Sequence, residues 1–230
     1  MKPKDLLIPC SWEKRCPLFL DRLLYVPKYY FSHEEKAKEI FSKNSFFPDK
    51  NPIVVEYCSG NGQWIIDRAK KEKEKNFIAV EMCFDRMRKI WVKMHNQKVK
   101  NLFIVFGEAL TFTKYYLLDN SISSVFVNFP DPWPKKRHAK HRLVKKDFVE
   151  EISRIVKEEG TATFVSDDFP TAERIGETIV SHKSWHPFFE NPYYKTKWAD
   201  FGSSYFKELW EKKGKSIYYL HFAKIAKNNF

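Results

Sequence analysis

From about residue 53 onward, the pattern of apolar and polar residues switches repeatedly between the pattern typical of strands and the pattern typical of helices. Short runs rich in β-branched or aromatic residues are separated by helical stretches, and we interpret these runs as strands. The five runs cover residues 53–57, 77–80, 102–106, 124–128 and 161–165. Such alternation predicts an α/β fold, in which a mostly parallel sheet has helices on both faces. Residues 216–223 predict a terminal strand after a helix at about 205–212.

The helical stretch at 83–94 has the clearest periodicity. Its apolar residues recur at a spacing that places them on one stripe, which we assign to the core and not to a cofactor site. The stripe consists of Phe84, Met87, Trp91 and Met94. The opposite face is predicted to point outward and carries Arg86, Arg88, Lys89 and Lys93.

Residues 1–50 differ from the rest of the chain because they are basic, aromatic and interrupted by prolines. Only a short charged helix, at about 32–42, is predicted there. We therefore expect an N-terminal arm at 1–50 and one α/β domain at 51–230.

Composition limits the classes of protein that the chain can represent. Its 230 residues, 43% of them hydrophobic, suffice for one folded α/β domain. The cysteines at 10, 16, 58 and 83 show neither a metal-binding spacing nor a disulfide framework, and the N-terminus lacks the pattern of a signal peptide. No apolar run approaches the ~20 residues that cross a bilayer. We expect a cytoplasmic protein with no membrane contact.

Acidic residues stand at the ends of three successive predicted strands. The first strand runs into Glu56-Tyr-Cys-Ser-Gly-Asn-Gly62, which holds two of only seven glycines in the chain. Glycines at a strand-to-helix turn let the backbone approach a ligand closely. Glu81 and Glu108 follow the next two strands, at positions where an acid can accept hydrogen bonds from ribose. Acids suit a positively charged sulfonium cofactor better than a dinucleotide, whose fuller glycine loop is missing.

The fourth strand is followed by a stiff turn and a cluster of cations. Prolines at 130, 132 and 134 exclude a regular helix or a central strand, so the strand ends at Asn128 and Asp131 lies in a rigid turn. Much of the net charge of +12 follows directly, because seven Lys or Arg residues lie between Asp131 and Lys146. This arrangement predicts an active-site turn beside a strip that binds a polyanion such as RNA. An ordinary proline-rich turn before a solvated basic helix is the alternative.

Metal binding is not predicted. His182 and His186 have the i, i+4 spacing of a helical metal site, but Pro187 follows at once and no third ligand is evident.

Residues 129–143, Phe-Pro-Asp-Pro-Trp-Pro-Lys-Lys-Arg-His-Ala-Lys-His-Arg-Leu, are similar to the signature of bacterial-type transfer RNA (guanine-N7)-methyltransferases. The resemblance covers most of the chain. It implies a Rossmann-like class I methyltransferase fold with an antiparallel C-terminal strand, S-adenosylmethionine as methyl donor, and a variable-loop guanine of transfer RNA as substrate. No metal and no obligatory protein partner are expected.

The resemblance also assigns site residues. Asp131 matches the active-site aspartate, which also lies against the cofactor. The other positions matching cofactor-binding residues are Glu56, Gly60, Gly62, Glu81 and Glu108. Lys135, Asp167 and Thr196 match substrate-binding positions. We further expect the neighbouring cations to hold RNA phosphates: Lys136, Arg137, Lys140 and Arg142, together with Lys135. Trp133 is expected either to stack on a base or to pack the turn.

Two positions depart from the family pattern. Cys58 stands where the first glycine of the cofactor loop is expected, and Ala199 replaces the usual glutamate, whose contact is either lost or taken over by Asp200. Two other functions remain open at this point. One is methylation of an exocyclic amine, which the turn superficially resembles although its adjacent prolines are missing. The other is a non-catalytic RNA-binding module on the same fold.

Overall fold

The computed structural model describes residues 1–6 and 15–226 and divides the chain into two compact units, residues 1–117 and 118–230. The first unit contains five strands: β1 (Leu18–Leu20), β2 (Leu23–Val26), β3 (Ile53–Tyr57), β4 (Asn76–Glu81) and β5 (Leu102–Gly107). Its helices are α1 (His33–Phe41), α2 (Gln63–Lys71), α3 (Phe84–Asn96) and α4 (Ala109–Tyr116).

The second unit contains four strands: β6 (Ile122–Asn128), β7 (Val156–Ser166), β8 (Trp185–Pro187) and β9 (Tyr218–Lys224). Its helices are α5 (Lys146–Ile155), α6 (Phe169–Val180) and α7 (Tyr205–Lys212). All six strands predicted from the sequence are therefore confirmed, as are the helices predicted at 32–42, 83–94 and 205–212.

The strands of the first unit are ordered β1-β2-β5-β4-β3. The pairs β2–β5, β5–β4 and β4–β3 are parallel, and β1 forms an antiparallel hairpin with β2. The central strands are buried because their apolar runs are packed on both faces, as in Phe77, Ile78 and Phe103. Residues 18–26, which the sequence placed in the arm without strands, add β1 and β2 to this sheet.

The strands of the second unit are ordered β6-β7-β9-β8. β6 and β7 are parallel, whereas β9 runs antiparallel to both of its neighbours. The antiparallel C-terminal strand is thus confirmed. The parallel strand pairs within each unit, with their flanking helices, confirm the mostly parallel α/β fold that the sequence predicted.

The core stripe predicted on α3 is wrong in part. Met87 and Met94 are buried as expected, together with Ile90. Phe84, however, is 37% exposed, because it is the first residue of the helix, and its ring contacts Phe106 at 5.4 Å between centroids. Trp91 is only half-buried. Helical spacing identifies the side of a helix but not where along its length the core ends.

The described cysteines Cys16, Cys58 and Cys83 are free thiols, and Cys10 lies outside the described residues. Within residues 1–6 and 15–226, no helix is long and apolar enough to cross a membrane.

Candidate active site

In the first unit, three acid-bearing loops leave the sheet at one edge. Tyr57, Val80 and Val105 pair in one row across β3, β4 and β5. Because these strands are parallel, the segments that follow them emerge side by side at their C-terminal ends. The glycine loop, Glu81 and Glu108 are the residues brought together at this edge.

The loop after β3 is a tight left-handed turn. Cys58, Gly60 and Gly62 have φ values of +61°, +55° and +70°. A Cβ added to Gly62 would lie 2.8 Å from Cγ1 of Ile90, so both its conformation and its packing against α3 require glycine. Cys58 adopts the same left-handed conformation without being a glycine, at a cost of about 1–2 kcal/mol.

Glu81 ties this loop to the end of β4. Glu81 is buried, with 5% of the residue exposed. One carboxylate oxygen accepts a hydrogen bond from the Gly60 N–H at 2.7 Å and the other from the Cys83 N–H at 2.8 Å. Burial raises the pKa of Glu81, although these backbone donors oppose the change. The Met82 N–H also acts on this carboxylate, and since an ionised carboxylate has about four acceptor positions, roughly one remains for a hydroxyl of a ligand.

Two further residues, Glu56 and Lys93, form hydrogen bonds with the loop after β3. Glu56 is 2% exposed near the end of β3, and its carbonyl accepts a hydrogen bond from Ser59 Oγ at 3.0 Å. Lys93 donates to the Asn61 carbonyl at 2.7 Å, and burial lowers its pKa. The prediction that Lys93 faces outward on α3 is therefore wrong, because the ammonium holds the loop.

Glu108 follows β5 and precedes α4. One of its carboxylate oxygens accepts a hydrogen bond from Thr111 Oγ1 at 2.7 Å, and the other lies 3.2 Å from the Lys28 ammonium. Lys28 was missed by the sequence analysis, since nothing in the chain marks which lysine of residues 1–50 reaches this edge. Pairing of β2 with β5 brings it there.

In the second unit, the turn after β6 is strained. Phe129 and Trp133 have φ values of +50° and +43°, which aromatic residues rarely adopt. The Phe129 N–H donates to the Val165 carbonyl at 2.8 Å and anchors the start of the turn to β7. Asp131 lies exposed between the two strained residues.

Arg142 holds the far end of this turn. Its Nε and Nη2 donate to the Trp133 carbonyl at 3.1 and 2.9 Å. The intervening residues form a 3-10 helix, Lys136–His141, and the Trp133 ring packs against His138 and His141 at centroid distances of 5.6 and 5.3 Å. Arg142, predicted only as a phosphate ligand, is thus also a structural clamp.

The remaining cations of this segment are directed to solvent. Lys135, Lys136, Arg137 and Lys140 are exposed, whereas Arg142 is half-buried. Four exposed cations beside an exposed carboxylate form a positively charged strip that follows the turn directly.

Asp167 and Thr196 lie at the same edge of this unit as the Asp131 turn. The row Asn128, Val165, Tyr219 and Lys195 runs across β6, β7 and β9 to a short bridge. The residues that follow Asn128, Val165 and Lys195 therefore emerge together. Asp167 forms an ion pair with Lys215 at 2.5 Å, and the side chain of Asp167 is 17% exposed.

The segment after Thr196 continues into a 3-10 helix, Ala199–Phe201. Ala199 and Asp200 are both exposed there. Trp198 packs against His221 and Tyr219 of β9, at centroid distances of 4.9 and 6.1 Å. An aromatic anchor therefore fixes the position of this segment.

The two histidines considered as a metal site do not share a helix, because His182 follows α6 and His186 lies in β8. His182 Nδ1 accepts a hydrogen bond from the Ser184 N–H at 3.3 Å, and His186 is exposed on β8. The part of the chain that the structure describes contains no group of three or more His, Cys, Asp or Glu residues that could hold a metal ion.

Known proteins resemble the chain over nearly its full length. A family model described as "Putative methyltransferase" matches residues 50–220. The chain is 44% identical to a protein of Chlamydia muridarum over 97% of this chain and 98% of the relative, and 42% identical to one of Chlamydia pneumoniae over 98% and 99%. Both relatives are named tRNA (guanine-N(7)-)-methyltransferase.

Solved structures resemble the fold at low identity. The 16S rRNA methyltransferase KamB gives a TM-score of 0.56 at 12% identity, covering 76% of this chain and 89% of KamB. An rRNA methylase from Streptococcus thermophilus gives 0.52 at 13% identity, covering 85% and 95%. These likenesses identify the Rossmann-like fold of class I methyltransferases. With the family match and the near full-length identity, they show that the chain belongs to the tRNA (guanine-N7)-methyltransferase family.

Proposed function

We propose that the protein transfers a methyl group from S-adenosylmethionine to N7 of a guanine in transfer RNA, forming N7-methylguanosine in the cytoplasm. The observation that carries this proposal is the strained turn after β6, which presents the exposed Asp131 directly before four exposed cations. The names of the relatives at 42–44% identity support the same reaction. The family resemblance supports a guanine of the variable loop.

The acidic edge of the first unit suits S-adenosylmethionine. A left-handed glycine loop and three carboxylates, from Glu56, Glu81 and Glu108, provide a close backbone approach and hydrogen-bond acceptors beside a positively charged ligand. Bound there, the cofactor supplies an electrophilic methyl group on its sulfonium. Glu81 would accept a hydrogen bond from the ribose, and Glu108 would lie at the adenine end. Gly60 and Gly62 would allow the backbone to approach the cofactor.

The residues at the edge of the second unit would act on the RNA. Guanine N7 attacks through a neutral lone pair and loses no proton, so alignment matters more than a strong base. The Asp131 carboxylate would stabilise the positive charge that develops on the purine, and would also face the cofactor. Asp167 and Thr196 would contact the substrate nucleotide.

The basic segment would hold the RNA backbone. Lys135, Lys136, Arg137 and Lys140 are exposed and able to reach phosphates, and Arg142 retains the charge to do so while it clamps the turn. The proposal assigns catalysis to residues 51–230 and treats residues 1–50 as an N-terminal arm that supplies Lys28. It includes no metal, no membrane and no obligatory protein partner.

Incubation of unmodified transfer RNA with methyl-labelled S-adenosylmethionine, followed by nucleoside analysis, tests the reaction. We expect label in N7-methylguanosine. Label on an exocyclic amine would contradict the proposed reaction and show that the protein methylates an amine instead of guanine N7. If the protein binds transfer RNA but does not bind S-adenosylmethionine, and no label enters the RNA, it is a non-catalytic RNA-binding module.

The variant Asp131→Asn tests the catalytic assignment. Asparagine keeps the size of the side chain but removes the negative charge, so the single-turnover rate at saturating transfer RNA should fall on the order of 10²-fold or more. Lys136→Gln is the matched control, because the loss of one exposed phosphate ligand should weaken RNA affinity and leave the saturated rate unchanged. A wild-type saturated rate for Asp131→Asn would remove Asp131 from the mechanism.

A further inference from the structure

A second basic feature lies in the unit formed by residues 118–230. A cleft of about 430 Å³ runs between the start of α5 and one face of α6. Its walls carry four cationic side chains, those of Arg142, Lys145, Lys146 and Arg174. Arg174 and Lys146 belong to neither the signature segment nor the predicted substrate positions.

Neighbouring acids balance the four cations of this cleft only in part: Lys145 pairs with Asp147 at 3.6 Å, and Asp168 acts on Arg174. Glu177 is the one acid among its lining residues. Arg174 donates to Thr171 Oγ1 at 3.1 Å through Nη2, but its buried Nε has no hydrogen-bond partner. Burial lowers the pKa of Arg174 and the positive charge of Arg142 lowers it further, whereas the Asp168 carboxylate opposes the change. An anion bound between the Arg142 and Arg174 side chains would relieve the repulsion between their positive charges.

The other lining groups suit a phosphodiester. Thr178 and Ser181 offer hydroxyl donors along α6, while Ala139 and Val144 provide apolar wall. Arginine side chains bind phosphate oxygens through several donors at once. The volume of the cleft also leaves room for more than a single phosphate ion.

The cleft is continuous with the basic segment. Ala139 lies within the Lys136–His141 helix, and Arg142 follows it, so both residues border the strip of exposed cations as well as the cleft. An RNA backbone that followed the strip away from Asp131 would enter the cleft next.

We propose that this cleft binds a backbone phosphate of the transfer RNA, beyond the nucleotide that is methylated, and that Arg174 and Lys146 are its specific ligands. The inference rests on the proposed function, because it takes transfer RNA as the substrate. Binding there would position the RNA without entering the methyl-transfer step.

The double variant Lys146→Gln/Arg174→Gln tests this proposal against Lys73→Gln/Lys157→Gln. The control removes the same charge from two exposed lysines outside the cleft. Transfer RNA affinity is measured over a range of salt concentrations. The cleft variant should bind more weakly, and its log–log salt slope should be smaller by about 0.7–0.9, the share of the one phosphate contact that is lost. The control should keep the wild-type slope.

Two further measurements separate the possible outcomes. The single-turnover rate at saturating transfer RNA and the affinity for S-adenosylmethionine should stay at wild-type values in the cleft variant. A salt slope equal to that of the control would overturn the proposal. If the double variant does not fold, the single variant Lys146→Gln decides, because Lys146 is exposed and its loss should lower the slope by up to about 0.7–0.9.

Inorganic phosphate at constant ionic strength distinguishes a free anion from RNA. Stabilisation of the wild type but not of the cleft variant, together with an unchanged RNA salt slope, would make the cleft a site for free phosphate and overturn the RNA assignment. Failure of the proposed function is recognised separately. In that case the wild type forms no N7-methylguanosine, whatever the salt slopes show.

Discussion

Glu81 has two roles, of which the sequence predicts one, the contact with ribose. An acid at the end of the second strand of a nucleotide-binding fold is expected to contact ribose. Here the same carboxylate also accepts backbone hydrogen bonds from Gly60 and Cys83. Loss of Glu81 would therefore remove a ligand contact and release the loop that surrounds the ligand.

The variant Glu81→Ala should weaken S-adenosylmethionine binding by about 1–3 kcal/mol, the scale for loss of a charged hydrogen-bonding group. Its free energy of unfolding should fall as well, since the buried Gly60 N–H and the partly buried Cys83 N–H lose their acceptor. Calorimetric titration and urea unfolding measure the two effects. Glu74→Ala, at an exposed position after α2, should change neither. Unchanged cofactor affinity in a folded Glu81→Ala protein would contradict the ribose assignment.

The sequence shows which residues stand at the ends of the strands, but not which contacts their side chains make. Two of seven glycines in one short loop, and acids at strand ends, were visible in the sequence. That Cys58 takes a left-handed conformation, or that Lys28 pairs with Glu108, depends on contacts between distant segments. No local pattern records such contacts, so they could not be predicted.

At the scale of elements, the turn after β6 shows how a flexible-looking loop is made rigid. Three prolines limit its backbone, the Phe129 N–H joins it to β7, and Arg142 closes it by two hydrogen bonds to one carbonyl. The clamp spans nine residues, from Trp133 to Arg142. A turn held at both ends keeps Asp131 in place with little reorganisation.

The variant Arg142→Lys separates the clamp from the charge. Lysine keeps the positive charge but cannot donate two parallel hydrogen bonds to the Trp133 carbonyl. The saturated single-turnover rate should fall between about tenfold and a hundredfold, the scale of a small misplacement at an active site. The salt dependence of RNA binding should stay close to that of the wild type. A wild-type rate together with a wild-type salt slope would show that the clamp is dispensable.

The elements that sequence reasoning missed are short. β1, β2 and β8 contain three or four residues each, too few for a periodic pattern, and they form because a neighbouring strand offers a free edge. The longer strands were predicted because buried parallel strands are almost continuously apolar. The proline turn was predictable for a different reason: proline restricts the backbone locally.

At the scale of the whole molecule, the charge distribution connects the two proposals. The net charge of +12 is not spread evenly, because exposed cations follow the Asp131 turn and further cations line the cleft between α5 and α6. Acids instead gather at the edge of the first unit. This separation suits a protein that binds a cationic cofactor and a polyanionic substrate.

The free energy of unfolding is a property of the whole molecule, and the protonation of His221 makes it depend on pH. This histidine of β9 is half-buried, shares a hydrogen bond with Thr163 Oγ1 at 2.9 Å and stacks on Phe188 at 4.4 Å. Burial lowers its pKa from 6.5 to about 4. The folded protein thus keeps the ring neutral where the unfolded chain binds a proton. Its contribution is complete above about pH 6.5 and is lost as the pH falls towards 4.

We therefore expect the free energy of unfolding to decrease between pH 7 and pH 5, and the variant His221→Gln to show a smaller decrease. Partial exposure of the ring limits the difference to about 1 kcal/mol at pH 5. Urea unfolding at both pH values measures it. His186→Gln removes an exposed imidazole from the neighbouring strand and should retain the pH dependence of the wild type. Equal pH dependence in His221→Gln and the wild type would mean that the acid sensitivity comes from other groups, of which His33, whose pKa burial also lowers, is the next to test.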